Sequence, residues 1–523
     1  MRCAHDEAIR TDNSSPAQSS LLRGQRIILL CLSLVGVLVV LGIGTIASQS
    51  TFTDFSNLSE GNPIRSNWQQ YDLLGDALLN GRTNLDLEVS STLMQLENPY
   101  DYQARMDASQ ENSSFYWYFD TAYYKGKYYC YFGVIPALLF YAPYQAITHT
   151  FLPTSILVIA LGCVSCFLCT YIVLCIKKAW FPGMKFQMAV LSIVVLFIGS
   201  NILACVYFPT FYNVPIIASL DFTLLGLSFW INARGNAACP FPRVRLVLLG
   251  AFFLSLNIGT RPQFTLAALL AIPIFYRDIA NLARHHKRNN LAVCCIAGIS
   301  PFILVAVGIC SYNYVRFGSC FDFGANYNLT GFDMTHHGQA WSVTARLFYH
   351  YLFSKPDLSH SFPFINGVVC SYLNEISSDF VPTEPIPCGL FFLVPINFVL
   401  LLSLCPAIRK HMIDNGIFCL LVSLVIIPVI VIVADSRVAG ISWRYYTDFA
   451  WYFALASLLI IMTIETSTTR VVRTAVMSLA VIAVCVSLIL YGCSFLSPTT
   501  TTFWVPLASG NPELYAQIAG FFA

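Results

Sequence analysis

The chain has 523 residues, of which 56% are hydrophobic and 11% are charged, and its formal net charge is +2 at pH 7. This composition excludes an ordinary soluble globular protein and indicates a protein that crosses a membrane several times. We expect membrane lipid as a partner and no nucleic-acid partner.

Long apolar segments follow one another from residue 27 onward. A helix needs roughly 20 apolar residues to cross a hydrocarbon core about 30 Å thick, and about eleven segments meet this requirement. They are residues 27–47, 154–176, 187–208, 213–232, 244–259, 263–277, 291–312, 389–406, 416–434, 448–464 and 474–493. The sequence therefore predicts an all-α polytopic membrane protein with about eleven transmembrane helices.

The first apolar segment is interpreted as an uncleaved signal anchor. It follows a polar stretch, residues 1–26, that carries Arg2, Arg10, Arg23 and Arg26. Positive residues are retained on the cytoplasmic side of a membrane, so we expect the N-terminus to be cytoplasmic.

Basic residues fix the expected orientation of the remaining segments. They cluster at Lys177/Lys178/Lys185, Arg234/Arg243/Arg245, residues 284–288, Arg409/Lys410 and Arg470/Arg473. If residues 131–148 also crossed the membrane, all these clusters would face outward, against the positive-inside rule. That segment is short and contains Pro136 and Pro143, so we expect it to lie along the outer leaflet or to re-enter.

This orientation places most of the polar chain outside the cell. Residues 48–153 form a first outer loop with juxtamembrane helices, residues 313–388 a second outer loop, and residues 494–523 an outer C-terminal tail. Residues 154–312 and 389–493 carry the other transmembrane helices. Since the chain contains no glycine-rich phosphate-binding motif, we do not expect direct use of ATP or a nucleotide sugar.

The first outer loop contains a predicted amphipathic helix over residues 68–80, ended by Gly81. Asp72 and Asp76 lie one helical turn apart on it. Two carboxylates at this spacing form either a solvated face or an acid/base or cation site. A divalent cation such as Mg²⁺ or Mn²⁺ is left open, and the cofactor is otherwise unknown.

An aromatic run over residues 115–132 surrounds a single acid, Asp120. Tyrosine and tryptophan are typical of membrane interfaces, but that explanation does not account for the aspartate. A carboxyl in a partly dehydrated interface tends to have a raised pKa and is a candidate general base.

Arg261, Arg437 and Arg444 occupy short turns on the predicted outer side, where positive charge opposes the orientation signal. A lipid phosphate is one partner for them, because guanidinium binds phosphate oxygens in a fork. The alternatives are lipid headgroups or salt bridges of Arg437 with Asp435 and of Arg444 with Asp448.

Other polar residues remain open to two interpretations. Asp221 lies within an apolar segment and is either a helix-packing contact or part of a cavity. Four cysteines on the predicted outer side could form disulfides, namely Cys130, Cys320, Cys370 and Cys388.

Several motifs resemble bacterial membrane proteins of the GT-C glycosyltransferase superfamily, the group with protein O-mannosyltransferases and aminoarabinose transferases. The motifs are residues 70–81, 98–101, 119–129, 131–137, 259–262, 316–318 with 323–324, and 444–448. The resemblance implies eleven to thirteen helices and transfer of a sugar from a polyprenyl-phosphate carrier on the outer side. The family acid expected soon after the first span is replaced here by Asn67, and the turn at residues 208–215 has no acid.

These observations predict a polyprenyl-phosphate-dependent glycosyltransferase of the plasma membrane, acting on a glycan, lipid or protein acceptor outside the cell. The expected catalytic carboxylates are Asp72, Asp76 and Asp120. The expected substrate-binding residues are Tyr124, Lys127, Tyr128, Arg261, Arg437, Arg444 and Tyr445. The alternatives are a transporter or flippase for a lipid-linked or small polar substrate, and a non-catalytic assembly partner.

Overall fold

A computed structural model describes residues 23–51, 63–66, 68–235, 241–284, 288–336, 338–377, 381–497 and 507–522. The regular structure of these residues is almost entirely helical. In chain order the helices are α1 Arg23–Thr51, α2 Gln70–Leu79, α3 Ser91–Gln95, α4 Tyr102–Glu111, α5 Ala142–Thr148, α6 Thr154–Trp180, α7 Phe186–Gly199, α8 Ile202–Tyr207, α9 Asn213–Ala233, α10 Val244–Ser255, α11 Ala271–Arg284, α12 Arg288–Phe317, α13 Trp341–Phe353, α14 Tyr372–Ile376, α15 Leu390–Leu393, α16 Pro406–Asp414, α17 Phe418–Val438, α18 Tyr446–Ser467, α19 Arg470–Leu496, α20 Leu507–Gly510 and α21 Pro512–Gly520.

Shorter elements connect these helices. Ala137–Tyr141 is a π-helix, and the 3-10 segments are Leu256–Gly259, Pro262–Leu270, Ala325–Tyr327, Met334–His336, Pro395–Leu404 and Trp443–Tyr445. The strands are β1 Ile64–Ser66, β2 Trp117–Phe119, β3 Ala122–Tyr124, β4 Lys127–Tyr129, β5 Asp357–Leu358 and β6 Ile365–Asn366. They form three pairs, β1 with β2 in parallel, and β3 with β4 and β5 with β6 antiparallel.

Within the described residues, eight helices are long and apolar enough to cross a membrane, or nine if a bent pair counts as one span. They correspond to the predicted segments that begin at residues 27, 154, 213, 263, 291, 416, 448 and 474. A multi-pass membrane protein is therefore confirmed, whereas eleven spans are not. Of the other three predicted segments, residues 187–208 and 244–259 form helices of under 18 residues. The third, residues 389–406, includes Pro395–Leu404, which makes an angle of 86° with α16.

Local sequence explains these interruptions. After α7, Asn201 adopts a left-handed conformation with φ 59°, so the predicted span over residues 187–208 becomes two helices. Pro395 and Pro406 each begin a helical segment, where proline is tolerated, and the chain turns sharply between them.

The apolar helices sort into a centre and a periphery. In the most apolar 18-residue stretch of each helix, all residues of α18 and 89% of those of α9 are buried. In α1 and α12 only 22% and 17% of these residues are buried. A helix that is apolar all round is stable only inside protein or in lipid. The helices α1 and α12 therefore present their apolar side chains to the bilayer.

A polar junction fixes the interrupted helix against the centre of the bundle. The Asn201 amide donates to the Trp443 carbonyl at 3.0 Å and to the Thr447 hydroxyl at 3.1 Å. The Asn201 side-chain oxygen accepts from the Trp443 indole at 3.0 Å and from the Tyr491 hydroxyl at 2.9 Å. The turn between α7 and α8 is thereby held beside the start of α18.

The helical part of residues 131–148 covers 137–148 and ends at His149, which has a φ of 55°. It is too short to cross a membrane and packs against α2. Just before it, Gly133 approaches the Gly259 carbonyl so closely that an added Cβ would lie 2.3 Å from the oxygen. The first predicted outer loop is therefore packed directly on the turn that carries Arg261.

The 17 cysteines among the described residues are all free, including Cys130, Cys320, Cys370 and Cys388. The disulfides considered from the sequence do not form here. Seven of the 17 cysteines are buried, and small apolar packing residues account for these.

Loops predicted to be cytoplasmic meet at one end of the bundle. The Arg234 guanidinium lies 4.3 Å from the Trp180 ring centroid, and the Gly235 amide donates to Asp278 at 2.9 Å. Arg277 donates to the Asp414 carbonyl at 2.9 Å. The loops predicted to be outside contact one another instead, for example through the Asp120 amide and the Leu329 carbonyl.

Candidate functional site

Asp120 is held by backbone contacts between the two predicted outer loops. It follows β2 with a φ of 51°, a left-handed conformation that aspartate tolerates better than most residues. Its amide donates to the Leu329 carbonyl at 3.2 Å, and the Leu329 amide donates to the Thr121 carbonyl at 3.1 Å. The Gln70 side chain donates to the Asp120 carbonyl at 2.8 Å. These contacts aim the carboxyl inward.

The Asp120 carboxyl is 9% exposed and accepts several hydrogen bonds. Tyr212, from the turn before α9, donates to one carboxyl oxygen, and Asn328 donates to the other at 3.3 Å. Burial raises the pKa of Asp120, while hydrogen bonds from Tyr212 and Thr330 and the positive charge of Arg444 oppose that rise. The result is an oriented carboxyl with an increased proton affinity.

Arg444 lies on the far side of Tyr212. Its guanidinium carbon is 4.6 Å from the Tyr212 ring centroid and 5.1 Å from that of Tyr445. It forms a salt bridge with Glu384 at 3.1 Å, and Glu384 also accepts from Ser442 at 2.6 Å. The Arg444 side chain remains 15% exposed. It is therefore a positive group at the edge of the bundle, close to the Asp120 carboxyl.

Arg261 lies on the other side of Tyr445, with its guanidinium carbon 5.2 Å from that ring centroid. It binds both oxygens of Asp448, with distances of 2.7 Å from Nε and 2.5 Å from Nη2. Gln263 donates to Asp448 at 3.0 Å and to Asp435 at 3.2 Å.

These side chains form one continuous group, which we call the loop cluster. Its members are Asp120, Tyr212, Arg261, Gln263, Glu384, Asp435, Arg444, Tyr445 and Asp448. Four carboxyl groups share two guanidinium groups here, so the cluster does not have spare positive charge. It can offer a hydrogen-bonded carboxyl, a partly exposed arginine and aromatic faces to a ligand.

Two of the predicted catalytic residues lie in other surroundings. The Asp72 carboxyl accepts from the Leu152 amide at 2.8 Å and from Gln145 at 3.4 Å, which joins α2 to the segment before α6. Asp76 forms a salt bridge with Arg82 at 3.1 Å, and its side chain is 42% exposed. The Asp72 carboxyl therefore links two segments of the fold, and the Asp76 carboxyl faces solvent.

Four of the predicted substrate-binding residues also make contacts apart from the loop cluster. Tyr124 packs on aromatic neighbours and donates to the Phe317 carbonyl at 3.3 Å, Lys127 is exposed on β4, and Tyr128 is fully buried. The Arg437 guanidinium donates to the Gln339 carbonyl at 2.6 Å and lies 4.5 Å from the Trp341 ring centroid. Of the ten predicted residues, the cluster contains Asp120, Arg261, Arg444 and Tyr445.

The salt bridges considered from the sequence pair differently in the structure. Arg444 binds Glu384 rather than Asp448, and Asp448 binds Arg261. No sequence pattern indicated Glu384. Tyr212 lies in the turn at residues 208–215, which contains no acid, and its hydroxyl donates to Asp120.

Asp221 is buried among α6 and α9, away from the loop cluster. Its Oδ1 accepts from Ser165 at 2.6 Å, and its Oδ2 has no hydrogen-bond partner among the described residues. Asp221 therefore contributes a helix-packing contact, which was one of the two interpretations. Its second oxygen is not explained by that contact.

No group of three or more histidine, cysteine, aspartate or glutamate side chains that could hold a metal occurs among the described residues. Comparisons of the chain with protein-family models, with curated proteins and with solved structures found no match. The loop cluster is accordingly interpreted from its chemistry.

Proposed function

We propose that this protein is a membrane glycosyltransferase that moves a sugar from a polyprenyl-phosphate donor to an acceptor on the outer face of the plasma membrane. The observation that carries the proposal is the contact of Asp120 with Tyr212, which in turn stacks with Arg444. A carboxyl and a guanidinium from loops far apart in sequence are thereby held next to each other at one end of a lipid-embedded bundle.

In this proposal Asp120 accepts the proton of an acceptor hydroxyl as the hydroxyl oxygen attacks the sugar. The raised pKa of Asp120 increases its ability to hold that proton. The bond from the sugar to the phosphate oxygen breaks, and the departing phosphate gains negative charge. Arg444 is placed to stabilise that charge. The exchange inverts the configuration at the reacting carbon, because attack and departure occur on opposite faces.

The other cluster members support these groups. Tyr212 donates to the Asp120 carboxyl and so keeps it oriented. Glu384 positions Arg444, and Asp448 positions Arg261, whose ring contact with Tyr445 completes the cluster. A donor that is already linked to lipid suits a site at the membrane surface, because the carrier chain remains in the bilayer while the sugar reaches the loops.

The test is transfer from a radiolabelled polyprenyl-phosphate hexose by the full chain in proteoliposomes, with cell-envelope lipids and glycans supplied as acceptors. We expect Asp120→Asn to lower the rate by 10²- to 10⁴-fold, the range of general base catalysis. Asp72→Asn and Asp76→Asn are matched controls, since each replaces one carboxyl group outside the cluster. Full activity of Asp120→Asn, or no loss of label from the lipid with the native chain, would overturn the proposal.

Transport of a lipid-linked or small polar substrate is a second candidate, favoured by one observation. Asp221 is a buried carboxyl in a membrane-spanning helix, and such groups often mark a substrate or proton path. Movement of a labelled polyprenyl-phosphate hexose between leaflets without any glycosidic product, and its loss in Asp221→Asn, would support transport.

A further inference from the structure

Two carboxyl groups of the loop cluster, Asp435 and Asp448, lie beside the guanidinium of Arg261. Both oxygens of Asp448 are bound by Arg261, and Gln263 donates to one oxygen of each acid. Asp435 is 7% exposed, and its Oδ2 is buried with no hydrogen-bond partner among the described residues. Both carboxyl oxygens of Asp448 therefore have hydrogen-bond partners, whereas one carboxyl oxygen of Asp435 has none among the described residues.

The polar and titratable groups around Asp435 come from three parts of the fold. Arg261 and Gln263 approach from the start of the 3-10 segment Pro262–Leu270, Asp448 from α18, and Tyr351 from α13. Among the described residues, Arg261 is the cation that acts on Asp435, and its Nε and Nη2 already bind Asp448, on which Arg444 also acts. A second buried carboxylate without its own cation costs several kcal/mol, so the neutral acid is the stable form of Asp435.

A ligand anion changes this balance. A phosphate that binds Arg261 competes with Asp448 for the same positive charge. The Asp448 side chain has no exposed surface. Water therefore cannot hydrate its carboxylate in place of the lost interaction with Arg261. Protonation of Asp448 removes the excess negative charge, and the proton comes from the medium.

We propose that Asp435 and Asp448 form a proton site coupled to anion binding at Arg261. Asp435 carries a proton in the resting protein, and Asp448 takes up a second proton when a phosphate binds. The identity of the anion rests on the proposed function. The consequence is that phosphate binding weakens as the pH rises.

The resting proton is tested without any ligand. Infrared difference spectra of the full chain on exchange from H₂O to D₂O should contain the carbonyl stretch of a buried protonated carboxyl. We expect the intensity of this band to fall in Asp435→Asn and to be unchanged in Asp76→Asn, which alters an exposed acid. An unchanged spectrum in Asp435→Asn would overturn the proposal, whether or not the protein is a glycosyltransferase.

The coupling is tested with a farnesyl methyl phosphodiester, a probe that keeps one negative charge throughout the pH range used. Calorimetry in buffers of different ionisation enthalpy counts the protons taken up on binding. We expect about one proton for each probe molecule and a dissociation constant that rises up to tenfold per pH unit. In Asp448→Asn, binding should become independent of pH.

Two other outcomes of the binding experiment distinguish the coupling from the proposed function. Binding of the phosphodiester without proton uptake would overturn the coupling and leave the proposed function standing. Absence of binding by the native chain would overturn the coupling together with phosphate recognition by the loop cluster.

Discussion

Replacement of Asp72 by asparagine tests whether this acid supports the fold or the chemistry. Asp72 is 3% exposed, and its carboxyl accepts from the Leu152 amide at 2.8 Å. Burial raises its pKa from 3.8 to about 7, against the opposing effect of hydrogen bonds from Leu152 and Gln145. Asparagine keeps an acceptor oxygen for the Leu152 amide and removes the charge.

The pKa gives the sign and the size of the effect. The folded protein binds the Asp72 proton more tightly than the unfolded chain does, so the free energy of unfolding falls as pH rises from about 4 to about 7. At 1.36 kcal/mol per pKa unit, the penalty above pH 7 has an upper limit of about 4 kcal/mol. The Asp72→Asn variant lacks this term and should be more stable than the native chain at about pH 8.

The assay is thermal unfolding in detergent across this pH range. We expect the unfolding temperatures of Asp72→Asn and the native chain to diverge as pH rises, with the variant higher. Asp76→Asn is the control, because its side chain is exposed and its salt bridge with Arg82 has a small effect on stability. Parallel pH profiles for Asp72→Asn and the native chain would refute the reasoning.

Three further changes probe the contacts around the loop cluster. Arg105 is fully buried and donates to the Pro99 and Thr330 carbonyls, so Arg105→Met should speed hydrogen exchange of the amides that join the two predicted outer loops, with unchanged exchange contradicting this role. Gly133→Ala should lower the free energy of unfolding by about 1 to 3 kcal/mol. Gly308→Ala should not lower it, because the added Cβ would lie in open space. Arg437→Gln should reduce sugar transfer by less than tenfold, and a larger loss would return this residue to the site.

Much of the architecture could be predicted because membrane composition is a strong constraint. Eight of the eleven expected segments are long apolar helices, and α2 occupies most of the predicted helix over residues 68–80. Interruptions were harder to predict. The left-handed residue Asn201 is stabilised by Trp443 and Tyr491, which follow it by more than 240 residues.

The candidate site was predictable in part. The aromatic run indicated Asp120, and the arginines of the predicted outer turns indicated Arg261 and Arg444, which the structure brings into the loop cluster. Their partners could not be derived, since Arg261 and Asp448 are 187 residues apart and Tyr212 and Asp120 are 92 apart. Asp72 and Asp76 share a good helical pattern, but helical spacing does not reveal which neighbour covers each carboxyl.

The location of the loop cluster outside the cell is the central claim, and side-specific labelling tests it most directly. Lys127 and Lys178 are both exposed, and they belong to loops assigned to opposite sides of the membrane. In intact cells, a membrane-impermeant maleimide should modify Lys127→Cys and should reach Lys178→Cys only after permeabilisation. Labelling of Lys178→Cys in intact cells, with Lys127→Cys protected, would contradict the account.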